Sequence, residues 1–282
     1  MQTPSDWDGP VFLMNFPLSV SNGVPNNVLM NPTVQGKYNT RRAGEQWLKL
    51  YKALAEKSLV YVLPGHGNFQ DLPFVANLGC YLPHLENTVL LSNFTSPPRK
   101  GEDVIGRRFF EAFGYRIEQP PHCWEGEADL KWVTDNLYVG GIGSRSTPAA
   151  FAWMQDRLDM RVIEISIMDP KLYHLDCVFF SLTEVKALVN VSAIKASDIK
   201  KLEKIVEIIA VPENQVYAGW TNSVRLGDTV FHAPTGKWLP FAKLLAKHGF
   251  GLEVLDLTEF DKSGADLSCL CMHLNYKNRF NG

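Results

Sequence analysis

The chain has 282 residues and a formal net charge of -2, with 45% hydrophobic and 21% charged residues. This is ordinary globular composition, long enough to bury a sizeable core as one large domain or two small ones. Near-neutral charge gives no electrostatic reason to expect nucleic acid or an anionic membrane as partner, and no apolar run has the length of a membrane span.

The opening "MQTPSDWDGP" has no basic segment followed by an apolar one, so it does not read as a secretory leader. The five cysteines, Cys80, Cys123, Cys177, Cys269 and Cys271, are odd in number and scattered. They suit free thiols in a cytoplasmic protein better than a disulfide framework. They also lack the short-spaced Cys/His pairs of a zinc site.

Taken in chain order, "YNTRRAGEQWLKLYKALAEKS" has apolar residues at helical spacing and predicts a helix over 41–58. The strand-like runs "SLVYVLP" and "NTVLLSNF" follow, then a helix over 102–113 and the run "NLYVGGIG". Pro148 suits the first turn of a helix over 148–158. After "RVIEISIM", "CVFFSL" and "KALVNV", Ser197 is placed to cap a helix over 197–209. "QVYAGW" and "DTVFHA" precede a helix over 239–247, which "KHGFG" ends with the glycines that C-caps prefer. "LEVLDL" and "LSCLCMHL" read as the last strands.

Two or three short strands per helix, repeated five times, is the spacing of a repeat architecture. No linker or low-complexity tract divides the chain, so a single domain over 1–282 of repeated α/β units is expected. A generic α/β sandwich fits the same pattern.

Several segments carry chemistry. "LYHLDCVFF" sets His174 and Asp176 two apart, on one side of an extended chain. "CWEGEADL" brings Glu125, Glu127 and Asp129 around Gly126. "QDLPFVAN" flanks an apolar run with Asp71 and Asn77, and Arg145 follows a glycine-rich strand end in "GGIGSRST". Each is also compatible with a structural role when taken alone. Together with Cys269, a thiol, an imidazole and several carboxylates are the parts of a thiolate site for a cationic substrate such as a guanidinium.

The order of "GVPNNVLMNP", "QDLPFVANLG", "CWEGEADL", "GGIGSRST", "LYHLDCVFF" and "LTEFDKSGADLSCLCM" resembles the guanidino-group-modifying (pentein) superfamily, nearest to its arginine dihydrolases. The resemblance implies a five-bladed α/β propeller with pseudo-fivefold symmetry. It implies a hydrolase that cleaves a guanidino C–N bond through a covalent cysteine intermediate. An amidinotransferase is the alternative within the superfamily. It also implies Cys269 as nucleophile, His174 as general acid/base and Glu125 as the carboxylate that orients it. Asp176 and Asn77 would grip the guanidinium, Asp71 would line the pocket, and Arg145 would bind the substrate's carboxylate end. Asn27 would belong to the substrate-side loop, and Cys271 would be a bystander.

No cofactor or metal is expected, and the partner would be a small guanidino compound, with a homo-oligomer possible. Three positions depart from the family pattern. Asn93 stands where many relatives have arginine, Asn77 where deiminases have aspartate, and Glu127 in a turn that is otherwise glycine-rich.

Overall fold

Every one of the five predicted helices is a crossover between two parallel strands of the same sheet. The computed structural model describes residues 3–277. In the first sheet, β1 (Val11–Asn15) leads through α1 (Thr40–Ala55) to β2 (Leu59–Leu63). The second has β3 (Gly79–Tyr81), β4 (Thr88–Leu91), α2 (Glu102–Ala112) and β5 (Arg116–Glu118). The third has β6 (Leu130–Thr134), β7 (Leu137–Ile142), α3 (Pro148–Arg157) and β8 (Arg161–Ser166). The fourth has β9 (Phe179–Ser181), β10 (Lys186–Val189), α4 (Ala196–Leu202) and β11 (Glu207–Ala210). The fifth has β12 (Val224–Leu226), β13 (Thr229–His232), α5 (Leu239–Lys247) and β14 (Gly251–Val254).

The rule is the same in each. A short strand pairs antiparallel with the middle one, and the middle one pairs parallel with the third. Parallel neighbours need a long connection, and the helix is that connection. The first sheet receives its antiparallel strand from the far end of the chain. There β15 (Met272–His273) pairs with β1, Phe12 opposite His273 and Leu13 opposite Met272. The result is five three-stranded sheets among the described residues, the mixed α/β fold that the repeats predicted. No helix of the described residues is long and apolar enough to cross a membrane.

Burial follows the same units. Helix α1 contributes Trp47, Leu50 and Leu54 to a cluster with Phe12, Met14, Phe231 and Phe260. Each side chain of that size taken from water contributes roughly 1.5–3 kcal/mol.

Four expectations are corrected. The helix predicted over 197–209 ends at Leu202, and Glu207–Ala210 is a strand beside β10; its Ile208 and Ile209 are β-branched and favour the sheet. "QVYAGW" is no strand but a 3-10 turn, Glu213–Gln215, and the bend after it. Residues Leu175–Cys177 form a 3-10 turn rather than an extended strand mouth. Cys269 likewise lies in a 3-10 turn, Leu267–Leu270, ahead of the strand.

Such turns share a position. Val75–Asn77, Gly126–Asp129, Leu175–Cys177, the bend holding Asn222 and Leu267–Leu270 each lead into the antiparallel strand of one sheet. The turns of the second and third sheets meet at Gly126. This residue has φ +62, and a Cβ there would lie 2.4 Å from the Ala76 carbonyl oxygen and 2.6 Å from the Asn77 carbonyl carbon. Left-handed backbone and this contact both demand glycine. Gly126→Ala is therefore expected to cost roughly 3 kcal/mol or more, from strain and overpacking together. Urea unfolding measures it, and an unchanged midpoint would show that the two turns do not need this approach.

Candidate active site

Glu125 sits at the N-cap of the turn Gly126–Asp129 and is wholly buried. Its Oε2 lies 3.0 Å from His174 Nε2. Arg145 Nη1 donates to both of its oxygens at 3.1 Å. Asn77 Nδ2 is 3.2 Å from the same imidazole nitrogen and 3.5 Å from Glu125 Oε2. Burial pushes the Glu125 carboxyl up, but the His174 hydrogen bond and the Arg145 charge outweigh it and hold the group at about 2. It is an ionised carboxylate facing an imidazole, and their hydrogen bond fixes the ring.

Asp129 ties the supporting turns together. Its Oδ1 accepts from the Leu175 amide at 3.0 Å and its Oδ2 from Ser146 Oγ at 2.6 Å. Ser146 Oγ in turn accepts from the Glu125 amide at 3.1 Å. The turns bearing Glu125 and His174 are thus locked to each other. Burial raises the Asp129 carboxyl to about 6.

Cys269 comes from the turn that leads into β15 of the first sheet, whose cap Asp266 accepts from the Leu267 amide at 2.8 Å. Its sulfur is 3.4 Å from Asn222 Nδ2 and 3.8 Å from Asp176 Oδ2. Asp176 Oδ2 also accepts from Ser268 Oγ at 2.9 Å. Burial first, and the Asp176 charge second, push the Cys269 thiol well up from its ordinary value. In the protein alone this sulfur is a neutral thiol.

Asn27, Asp71, Asn77, Arg145, His174 and Cys269 line one cavity of about 20 Å3, room for roughly one water molecule. Glu125 and Asp176 stand in its wall through their contacts with His174 and Cys269. The structure therefore gathers all eight sequence-predicted residues. Asp71 Oδ2 accepts from Asn26 Nδ2 at 2.6 Å, and burial raises its carboxyl. Behind it Arg99 donates to the Asp71 and Phe74 carbonyl oxygens at 3.2 Å and pairs with Glu102 at 2.6 Å. Asn27 Nδ2 donates to the Ser263 carbonyl at 3.0 Å, which ties the early loop to the segment before Cys269. An outer cavity of about 480 Å3 shares Asn26, Asn27, Arg145 and Tyr173 with the inner one.

Arg145 has partners other than the expected substrate carboxylate. Its guanidinium is spent on Glu125 and on the Asn26 carbonyl, 2.7 Å from Nη2. Glu127, unlike Arg145, is absent from the cavity lining, since its Oε1 meets His273 Nδ1 at 2.6 Å and its Oε2 accepts the His273 amide at 2.8 Å. Asn93 bridges to Trp124 through the backbone and donates to the Pro120 carbonyl. Cys271 is buried and does not line the cavity. Sequence reasoning missed Asn222 and Ser268, because "GWTNS" has the composition of any turn.

A family model for N,N dimethylarginine dimethylhydrolase, eukaryotic, matches residues 19–234. The chain belongs to this family. The match stops short of Cys269, but relatives cover more. The bifunctional arginine dihydrolase/ornithine cyclodeaminase AgrE of Nostoc sp. is 27% identical over 257 residues, 87% of this chain and 36% of AgrE. This chain thus spans about a third of the length of that relative. The N(G),N(G)-dimethylarginine dimethylaminohydrolase of Mycobacterium tuberculosis is 26% identical over 73% of this chain and 66% of its own. Among solved structures, the N-terminal domain of ArgZ, a cyanobacterial arginine dihydrolase bound to substrate, superposes with a TM-score of 0.87 at 25% identity. That likeness covers 94% of this chain and 98% of the ArgZ domain. The fold is that of the guanidino-modifying pentein enzymes.

The Glu125 carboxyl titrates at about 2 folded against the usual 4.5, so its contribution is full above 4.5 and is lost as pH falls toward 2. That window holds up to about 3 kcal/mol. Glu125→Gln should be less stable at pH 7 and should lose less stability on acidification than the parent. Urea midpoints measured from pH 7 to 2 test this, and parallel curves for the two proteins would refute it.

Proposed function

We propose that this chain is a cysteine-dependent guanidine hydrolase, acting as one catalytic unit on arginine or a related guanidino compound. The observation that carries the reading is the meeting of Cys269, the His174–Glu125 pair, Asp176 and Asn77 around one small cavity. The similarity to ArgZ and to dimethylarginine dimethylaminohydrolase supports the substrate class.

The chemistry follows from the charges. A planar guanidinium brings a positive charge between Asp71, Asp176 and the Cys269 sulfur. That charge offsets the burial and the Asp176 repulsion that keep the thiol protonated, so the thiol releases its proton to solvent as the cation binds and the thiolate forms with its target in place. The sulfur attacks the guanidinium carbon and a C–S bond forms. His174, protonated beside Glu125, gives its proton to the departing nitrogen as the C–N bond breaks. An S-alkylthiouronium on Cys269 remains. His174, now neutral, takes a proton from water as its oxygen attacks the same carbon. The C–S bond breaks, the thiolate is restored and a ureido product leaves. From arginine this gives citrulline and ammonia. A second passage, with another water, gives ornithine, ammonia and CO2.

Arg145 donates to both oxygens of Glu125, including the one that meets His174, and keeps the carboxylate charged. It acts in this scheme through Glu125, and reaches the outer cavity as well.

Incubation with L-arginine, followed by mass spectrometry of products, tests the reading. Citrulline or ornithine with ammonia is expected, and Cys269→Ala should lower the rate by a factor of roughly 10^3 or more. Full activity in Cys269→Ala, or a parent protein inert toward arginine, agmatine and methylarginines alike, would sink it.

A further inference from the structure

Four of the five sheets contribute a predicted site residue from the turn before their antiparallel strand. Asn77, Glu125, His174 with Asp176, and Cys269 come from the second, third, fourth and first sheets. The fifth sheet's turn holds no residue that sequence reasoning singled out. Its place is taken by Asn222, 3% exposed and in contact with the sulfur of Cys269.

We propose that Asn222 sets the reactivity of Cys269: its amide N–H holds the sulfur while its carbonyl oxygen fixes Ser268 and, through it, Asp176. The proposal rests on Cys269 being the nucleophile.

The orientation of the Asn222 amide is determined by its surroundings. Its Oδ1 accepts from the Ser268 amide at 2.9 Å and lies 2.8 Å from Ser268 Oγ. An amide N–H is a donor only, so the oxygen must face Ser268. The NH2 group is left for the sulfur, 3.4 Å away. Ser268 Oγ also lies 2.9 Å from Asp176 Oδ2, so one short chain of contacts, Asn222 to Ser268 to Asp176, closes around Cys269.

A hydrogen bond to sulfur strengthens when the sulfur becomes an anion. Asn222 therefore favours the thiolate, and it does so without a charge of its own. A hydrogen bond from the backbone at Asp266 works in the same direction, whereas the carboxylates nearest the sulfur do not. Asp176 and Cys177 lie on the turn across from it, Tyr173 and His174 just before that turn, and Asp266 and Cys271 on its own segment. Asp71, Arg99 and Arg145 line the far wall of the cavity. Asp176 and Asp266 oppose a second negative charge, and the hydrogen bond from Asn222 offsets them. Asn222 also borders a separate cavity of about 430 Å3 that includes Cys177, Gly219 and Asp266. It is thus the partition between that space and the reactive sulfur.

The decisive variant is Asn222→Asp. It keeps the size and the acceptor for Ser268 but presents a carboxylate oxygen to the sulfur. The rate of Cys269 carbamidomethylation by iodoacetamide, read at Cys269 by peptide mass spectrometry between pH 8 and 10, reports the thiolate fraction. At each pH it should fall about tenfold or more relative to the parent, which corresponds to one unit or more in the thiol pKa. With a guanidino substrate, kcat should fall similarly while KM changes less than about threefold. Asn222→Ala should shift both readouts in the same direction by less, and serves if the aspartate variant does not fold. Ser268→Ala leaves the Ser268 amide on Asn222, so it should leave alkylation near the parent rate and raise KM through a loosened Asp176. Parent-like alkylation and kcat in folded Asn222→Asp would overturn the proposal. So would an equal loss of alkylation in Ser268→Ala. If the parent turns over no guanidine but Asn222→Asp still slows alkylation, the hydrolase reading fails and the assignment of Asn222 stands.

Discussion

The pairing of β15 with β1 is the contact on which the site depends. Two residue pairs, Phe12 with His273 and Leu13 with Met272, join the two ends of the described chain into one sheet. Cys269 lies three residues ahead of that strand, so the same pairing sets where the thiol stands. Glu127 reinforces the junction from the third sheet by holding both the amide and the ring of His273. Burial pushes this carboxyl up, but His273 and Lys131 hold it down at about 2, so it remains charged and bonded. A carboxylate of the acidic turn thus fastens the strand that follows Cys269.

Around that frame the site is an arrangement of buried charge. Glu125, Asp71, Asp176 and Glu102 are all nearly inaccessible to water, as are Arg99 and Arg145. Isolated charges in such a place are costly, and each of these has a partner or hydrogen bonds that reduce the cost. Glu102 answers Arg99, Arg145 answers Glu125, and Asp176 Oδ2 is met by the Ser268 hydroxyl and the Cys269 sulfur. The carboxylates nearest the sulfur are the ones least neutralised by the protein. Under the proposed function, a cation of the right shape would complete them and let a cavity with a protonated thiol favour thiolate chemistry.

Much of this was legible in the sequence, and the remainder was hidden for definite reasons. Long amphipathic helices such as Thr40–Ala55 and Leu239–Lys247 announce themselves by period. Some of the antiparallel strands do not. Gly79–Tyr81 and Val224–Leu226 are three residues each, too short for alternation to register. The helical turns before them looked like strand mouths, so His174, Asp176 and Cys269 were given the wrong local backbone. They still converge, because the position of the turn in the sheet places them, not the alternation of an extended chain. The partner of Arg145 was not legible, since it depends on a carboxylate 20 positions away that only the fold brings near. Asn222 left no trace because an asparagine in a turn has many ordinary explanations.

The narrowness of the inner cavity bears on how fast the protein can work. A guanidino compound of arginine's size does not enter a space of about 20 Å3. Under the proposed function the space must widen to admit one, and the contacts at its rim are those of Asn27 with the Ser263 carbonyl and of Asn26 with Asp71. Capture that waits on such widening is slower than free diffusional encounter, and apparent affinity is lowered in proportion to the fraction of time the space stands open.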